Sequence, residues 1–189
     1  MNVTPKIIES CRRNDRKTIN RLYEYCFGML MPICFRYNKN EEDARAAYNQ
    51  GFLKILKGFN KVEDTINFNP WAKRIMVNSL IDEYRKNKNY TTRIDQSDSE
   101  RELDYHSEGQ LNDAESNLGY ENIMMLVKEL PATSSKVFNL YVIEGYSHKE
   151  IGELLEMSEG TSKWHLSSAR KELRVKLEQL ESQNQRMVI

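Results

Sequence analysis

No stretch of this sequence is long and apolar enough to cross a bilayer. The longest nearly apolar run, residues 27 to 35, is interrupted by Pro32. The opening MNVTPKII lacks the basic flank and apolar core of a secretory signal, so a soluble cytoplasmic protein without membrane insertion is expected. Cysteine is scarce. Cys11, Cys26 and Cys34 form an odd set with no C-x-x-C spacing, which supplies neither a disulfide framework nor a zinc site and leaves three small core residues in a reducing compartment. The histidines, His106, His148 and His165, lie in unrelated contexts, and there is no glycine-rich phosphate loop and no Ser/His/Asp or Cys/His arrangement. No enzymatic activity, metal or cofactor is expected.

Net charge is also absent, because 28 basic residues face 28 acidic ones. The total hides a segregation. Residues 1–90 carry 17 bases and 10 acids, residues 91–120 carry 2 and 8, and residues 121–189 carry 9 and 10. A basic first half, an acidic middle and a balanced end leave room for a nucleic-acid partner that the zero total would argue against.

The pattern that is missing from the apolar residues is alternation. Nearly every periodic segment has helical spacing, so the expected fold is all-α. Helices are predicted over 5–37, with a break near Asn14 and Asp15, and over 41–58. After a polar loop, 60–67, a third helix begins with Asn69 as cap and Pro70 as first residue and ends near Lys88. Residues 91–117 are acidic and polar, with too few apolar side chains to bury. Further helices are predicted over 120–129, 132–144, 147–156 and 160–183. The expected organisation is a helical domain over 1–90, an acidic linker over 91–117, and a smaller helical domain over 118–189.

The clearest local signal is YSHKEIGELLEMSEGTSKWHLSSARKELR. Ser147 and Glu150 form a capping box, a turn falls at Glu156 and Met157, and Ser158 is placed to cap the next helix. In that helix Ser162, Leu166, Ala169 and Leu173 fall on one face. Thr161, Lys163, Trp164, His165, Ser168, Arg170 and Lys171 fall on the outer surface. This is the layout of a helix-turn-helix that docks in the major groove, with short side chains near the helix start reaching bases and cations holding phosphates. A plain helical hairpin with a solvated face is the alternative. Trp164 is read either as a contact to a thymine methyl, sugar or partner protein, or as a rim-packed side chain.

A second constellation lies in NFNPWAKRIMVNSLIDEYRKNKNY. Met76, Val77, Leu80, Ile81 and Tyr84 share a packing face, while Arg74, Asn78, Asp82 and Arg85 share another, and Lys73, Lys86 and Lys88 add positive charge. Asn and Arg offer forked hydrogen bonds to base edges. Asp82 would accept from a base amino group or brace Arg85. Taken alone, the same face reads as a solvated surface.

In order, IIESCRRNDRKTINRLYEYC, EEDARAAYNQGFLKILKGF, NPWAKRIMVNSLIDEYRKNK, an acidic linker and LPATSSKVFNLYVIEGYSHKEIGELLEMSEGTSKWHLSSARKEL resemble the ECF group of bacterial sigma factors over nearly the whole chain. The resemblance implies a first domain that binds the RNA polymerase clamp and the minus-10 promoter element, and a second that reads the minus-35 element. The family's clamp motif, D-L-V-Q-E-x-F, falls on residues 46–52. Ala46 and Gln50 stand where it has carboxylates and Asn49 where it has glutamine, so the polymerase contact carries over to Asn49 and Gln50, helped by Asp43. Asn78, Asp82 and Arg85 stand in the family's N-x-x-x-D-x-x-R pattern, which assigns minus-10 recognition to that face, with Arg74 and Lys86, and to the loop 60–68.

Capture of an unstacked base would use Phe68 and Trp71 as aromatic walls, although Trp71 also reads as a core anchor. Gly160, Thr161, Lys163, Leu166, Ala169 and Arg170 match G-T-x-K-x-x-L-x-x-A-R, while Ser162 replaces an apolar residue and His165 and Ser168 replace frequent arginines. The linker reads as a tether or as an electrostatic mimic of RNA in polymerase channels. The implied partners are core RNA polymerase, promoter DNA and an anti-sigma factor, with the free protein a monomer. The competing readings are a stand-alone helix-turn-helix regulator and a helical interaction protein.

Overall fold

The computed structural model describes residues 1–63, 66–94 and 118–187, with 88–94, 118–121 and 181–187 described as backbone only. Among the described residues every regular element is helical. The chain divides into two units, Met1–Tyr105 and His106–Ile189.

In the first unit, α1 (Pro5–Arg12) opens with proline at its start, where a missing N–H loses nothing. Asn14, with a left-handed φ of 59°, turns the chain, and the Asp15 carboxylate accepts from Thr18 N at 3.1 Å to start α2 (Arg16–Tyr37). Asn40 caps α3 (Glu41–Gly58) by accepting from Asp43 N at 2.8 Å, and three carboxylates in its first turn favour the positive end of the helix dipole. A short 3-10 turn, Phe59–Lys61, follows, and α4 covers Phe68–Ile94. Pro32 sits inside α2, where it cannot donate to the Gly28 carbonyl. Gly28 is exposed, so solvent can supply that bond.

The core of this unit forms where α2, α3 and α4 meet. Cys34, Met76 and Gly51 lie at the junction: the Cys34 thiol is 3.5 Å from the Met76 sulfur, and a Cβ on Gly51 would collide with the same Met76 side chain. Tyr23, Phe27, Tyr48 and Phe52 interlock edge-to-face on one side, with ring centroids 5.1 to 5.2 Å apart for the closest pairs. Tyr48 is fully buried and donates its hydroxyl to the Tyr23 carbonyl at 2.7 Å, so a tyrosine fits where a smaller apolar residue would otherwise serve.

Two details differ from the sequence expectation. The third helix begins at Phe68 rather than at a cap on Asn69, because buried Phe68 packs on Phe59 and Trp71; the Asn69 amide oxygen instead accepts from Tyr25 at 2.9 Å. The same helix continues to Ile94, past the expected end near Lys88, so the first four residues assigned to the linker belong to it. The rest of that acidic segment, 95–117, lies outside the described residues.

In the second unit α5 (Leu118–Lys128) precedes α6 (Ala132–Phe138), which widens into a π turn, Asn139–Ile143. Buried Asn139 donates to the Ser135 carbonyl at 3.0 Å. Gly145 takes a left-handed φ of 77°, which glycine adopts without strain, and leads into α7 (His148–Leu155) with the reciprocal Ser147–Glu150 capping box. Glu156 then turns the chain in the left-handed region and α8 (Glu159–Met187) begins. The turn lies directly on Gly152: a Cβ there would stand 2.7 Å from the Met157 carbonyl oxygen.

Gly152→Val should therefore push the two helices apart and destabilise the second unit by about 1–3 kcal/mol, read as a lower urea midpoint. Burial pushes the Cys11 thiol up to about 11 and those of Cys26 and Cys34 up to about 12. All three should resist alkylation in the native protein at pH 8.5 and react once it unfolds. Because the unfolded thiols ionise first, stability should fall as pH rises from about 9 toward 12.

Candidate nucleic-acid interfaces

The rotation of α8 about its axis is set by its buried face, Ser162, Leu166, Ala169 and Leu173, each no more than 6% exposed. Ser162 is polar at an apolar position because its hydroxyl pairs with His148 Nδ1 at 2.9 Å, from the start of α7. Ser158 caps the helix by accepting from Thr161 N at 3.0 Å. With that face turned inward, Thr161, Lys163, Trp164, Arg170 and Lys171 are exposed. Trp164 is 63% exposed, its ring edge-on to His165.

His165 itself departs from the outward placement expected from the sequence. It is half-buried, and its Nδ1 lies 3.0 Å from the hydroxyl of Ser134 on α6. At about 100° per residue it sits only about 40° around the helix from buried Ala169, which turns the ring toward the neighbouring helix.

Lys163, Ser167, Arg170, Lys171 and Arg174 line a cleft of about 430 Å³ whose other wall includes Tyr141 and His148. The Tyr141 ring stacks on His148 at 4.4 Å, and the Arg170 guanidinium lies over it at 5.9 Å. Four cations along one helix stripe form a surface for a polyanion. Lys163 is engaged in part: its ammonium is 2.6 Å from Glu159, which holds that carboxyl below its ordinary range chiefly through the hydrogen bond from Lys163. Tyr141 and His148 were not foreseen as part of this surface, since only the tertiary fold brings the π turn against α8. Arg174, one turn beyond Arg170, was within reach of helical spacing.

In the first unit, α4 turns Met76, Val77, Leu80 and Ile81 inward. Arg74 and Lys86 are exposed, while Asn78, Asp82 and Arg85 are half-buried. The Asp82 carboxylate, about half exposed, bonds Lys54 of α3 at 3.0 Å. Lys54 lies across the helix junction, so helical spacing within α4 gave no sign of it. The Asn78 Oδ1 is enclosed without a hydrogen-bond partner, an arrangement that costs about 1–3 kcal/mol. Phe68 is 4% exposed and cannot serve as a surface stacking wall. Trp71 is half-buried, lies flat on Phe59 at 5.5 Å and covers Gly58.

The outer face of α3 carries Ala46, Asn49, Gln50 and Leu53, all exposed. Asn49 is oriented by Tyr23, whose hydroxyl donates to its Oδ1 at 2.8 Å. Asp43, one turn earlier, accepts from the Asn40 amide at 2.8 Å and is part of the helix cap.

Two regional descriptions match the chain in this order: sigma-70 region 2 over residues 22–90, and sigma-70 region 4 over residues 120–173. The ECF RNA polymerase sigma factor SigW of Bacillus subtilis (strain 168) is 26% identical over 181 residues, 93% of this chain and 97% of that protein. Among solved structures, CnrH in complex with the cytosolic domain of CnrY is 16% identical with a TM-score of 0.49, covering 94% of this chain and 98% of that one. The sigma factor RpoE in complex with the anti-sigma factor NepR from Bartonella quintana is 17% identical with the same score, covering 82% and 96%. The assignment rests on the regional matches and the SigW likeness, which run in register with the α2–α4 bundle and the helix-turn-helix: the chain belongs to the sigma-70 family of RNA polymerase sigma factors, in its ECF group.

Proposed function

We propose that this sigma factor joins core RNA polymerase through the outer face of α3 and, as a single copy, reads promoter DNA with two helices. The α4 face would take the minus-10 element and the start of α8 the minus-35 element, directing recognition, melting and initiation. Bond-making chemistry belongs to the polymerase, and a cytoplasmic location follows from where polymerase and promoters reside. The observation that carries this reading is the exposed cationic stripe on the second helix of a helix-turn-helix, in a chain that also matches region 2.

Each residue has a role in this reading. Lys163, Arg170 and Lys171 hold phosphates, and Thr161 and Trp164 stand where base edges or sugars would lie. His165 contributes by fixing α8 against Ser134 rather than by touching DNA. Arg74, Asn78, Arg85 and Lys86 serve the minus-10 element, with Asp82 bracing α3 against α4. Asn49 and Gln50 offer neutral amides to the polymerase, with Asp43 supplying a nearby charge. The accompanying division of the chain gives 1–94 to the first domain, the remaining acidic residues to 117 to the connection, and 118–189 to the second domain. An anti-sigma regulator is an expectation of the family.

In vitro transcription with core polymerase tests this directly. Initiation that needs both proteins is the expected result; a two-fold dimer binding a palindrome without polymerase would mark a stand-alone regulator instead. Lys163→Ala and Arg170→Ala should each weaken minus-35 DNA binding by about 3- to 10-fold across sequences and flatten its salt dependence. Asn78→Ala should instead reorder the preference among minus-10 variants, and an unchanged order would remove its assigned role. Glu159→Gln frees Lys163 and removes a charge facing the phosphates, so it should tighten minus-35 binding by about two- to threefold at low salt.

A further inference from the structure

Arg12 lies on α1, before the first residue matched to region 2. Its side chain reaches the far end of α3. Nε donates to the Phe59 carbonyl at 2.9 Å and Nη2 to the Val62 carbonyl at 2.8 Å, while Glu9 on its own helix stands 3.5 Å from Nη1. The carbonyls at a helix C-terminus have no helical partners and carry the negative end of the dipole, so a cation that donates to them acts as a cap. Here the cation comes from another helix: Phe59 is the C-cap residue of α3, and Val62 follows the 3-10 turn. The guanidinium fork can hold two carbonyls at once, which an ammonium does less well.

The anchor itself is firm, because Ile8 and Cys11 bury α1 against the bundle. Phe59 is therefore fixed twice, its ring flat on Trp71 of α4 and its carbonyl on Arg12 of α1. Asn60 and Lys61, between the two held carbonyls, are exposed, and Phe59 before them packs on Phe68 and Trp71 at the start of α4.

We propose that Arg12 is a positioning residue for promoter opening: it fixes the path from Phe59 to Val62, and so the place from which Asn60 and Lys61 meet the separated minus-10 strand. The inference rests on the reading of α4 and the chain before it as the minus-10 surface. Arg12 touches no DNA in this role and acts through the two carbonyls.

The experiment uses holoenzyme assembled from core polymerase and wild-type protein, Arg12→Ala or Arg12→Lys. It measures affinity for core, for a single-stranded minus-10 oligonucleotide, and for a duplex carrying only the minus-35 element. Arg12→Ala should capture the oligonucleotide about tenfold more weakly, as expected if the binding-competent path from Phe59 to Val62 is then populated only about a tenth of the time, with core and minus-35 affinities within about twofold of wild type. Arg12→Lys should fall between.

Equal oligonucleotide capture by Arg12→Ala and wild type would overturn the proposal, as would a parallel fall in all three affinities, which marks general loss of structure. Should Arg12→Ala not fold, Arg12→Lys decides: weakened capture with intact core binding supports the proposal, and wild-type capture ends it. If the wild-type holoenzyme does not bind the oligonucleotide, the minus-10 reading fails first.

Discussion

Which side chains a helix shows to solvent is fixed only if its rotation about its own axis is fixed, and in both units that rotation depends on close packing at a residue with no side chain. In the first unit Met76 of α4 occupies the space that Gly51 of α3 leaves open, against Cys34 of α2. In the second, Gly152 lets the backbone of the turn lie directly on α7, and the Ser162–His148 bond then registers α8 against it. Interiors pack at crystal-like density, so these contacts leave each helix one seating rather than several. Everything exposed on α4 and α8 is exposed as a consequence.

Charge is distributed with the same economy. Four cations of α8 form one stripe, Glu159 moderates the first of them, and Lys176 lies apart, paired with Glu129. On α4 Asp82, the acid among Arg74, Asn78, Asp82 and Arg85, pairs with Lys54 of α3, which offsets its charge and ties the two helices together. An exposed pair of this kind contributes little to stability, typically about 0–1 kcal/mol, so its larger effect is on the local potential. The outer face of α3 is different again. Between residues 46 and 53 it shows only Ala46, Asn49, Gln50 and Leu53 to solvent, so a partner there meets amides and apolar surface rather than carboxylates.

Three departures from the family pattern are matched by contacts that span the sequence. Ser162 stands at an apolar position because His148 satisfies its hydroxyl, and Tyr48 at another because the Tyr23 carbonyl accepts from it. His165, where an arginine is frequent, spends its ring on Ser134. Each substitution exchanges a local preference for a hydrogen bond to a distant residue, which makes the buried polar group tolerable.

The amino-acid sequence alone determined that the protein is helical, that it carries a helix-turn-helix between Ser147 and Leu173, and that α4 presents Arg74, Asn78, Asp82 and Arg85 on one side. These follow from periodicity, capping residues and turn chemistry, which act over a few residues. It also placed the turns at Asn14 and Glu156 correctly, because the signals for ending a helix are equally local. Only the tertiary structure decided that Asp82 pairs with Lys54, that His165 pairs with Ser134, that Phe68 is enclosed, that Tyr141 and His148 wall the cationic cleft, and that Arg12 holds the chain leaving α3. Each of these joins residues far apart in the chain. Helical spacing states which side chains share a face, but it says nothing of what stands opposite that face.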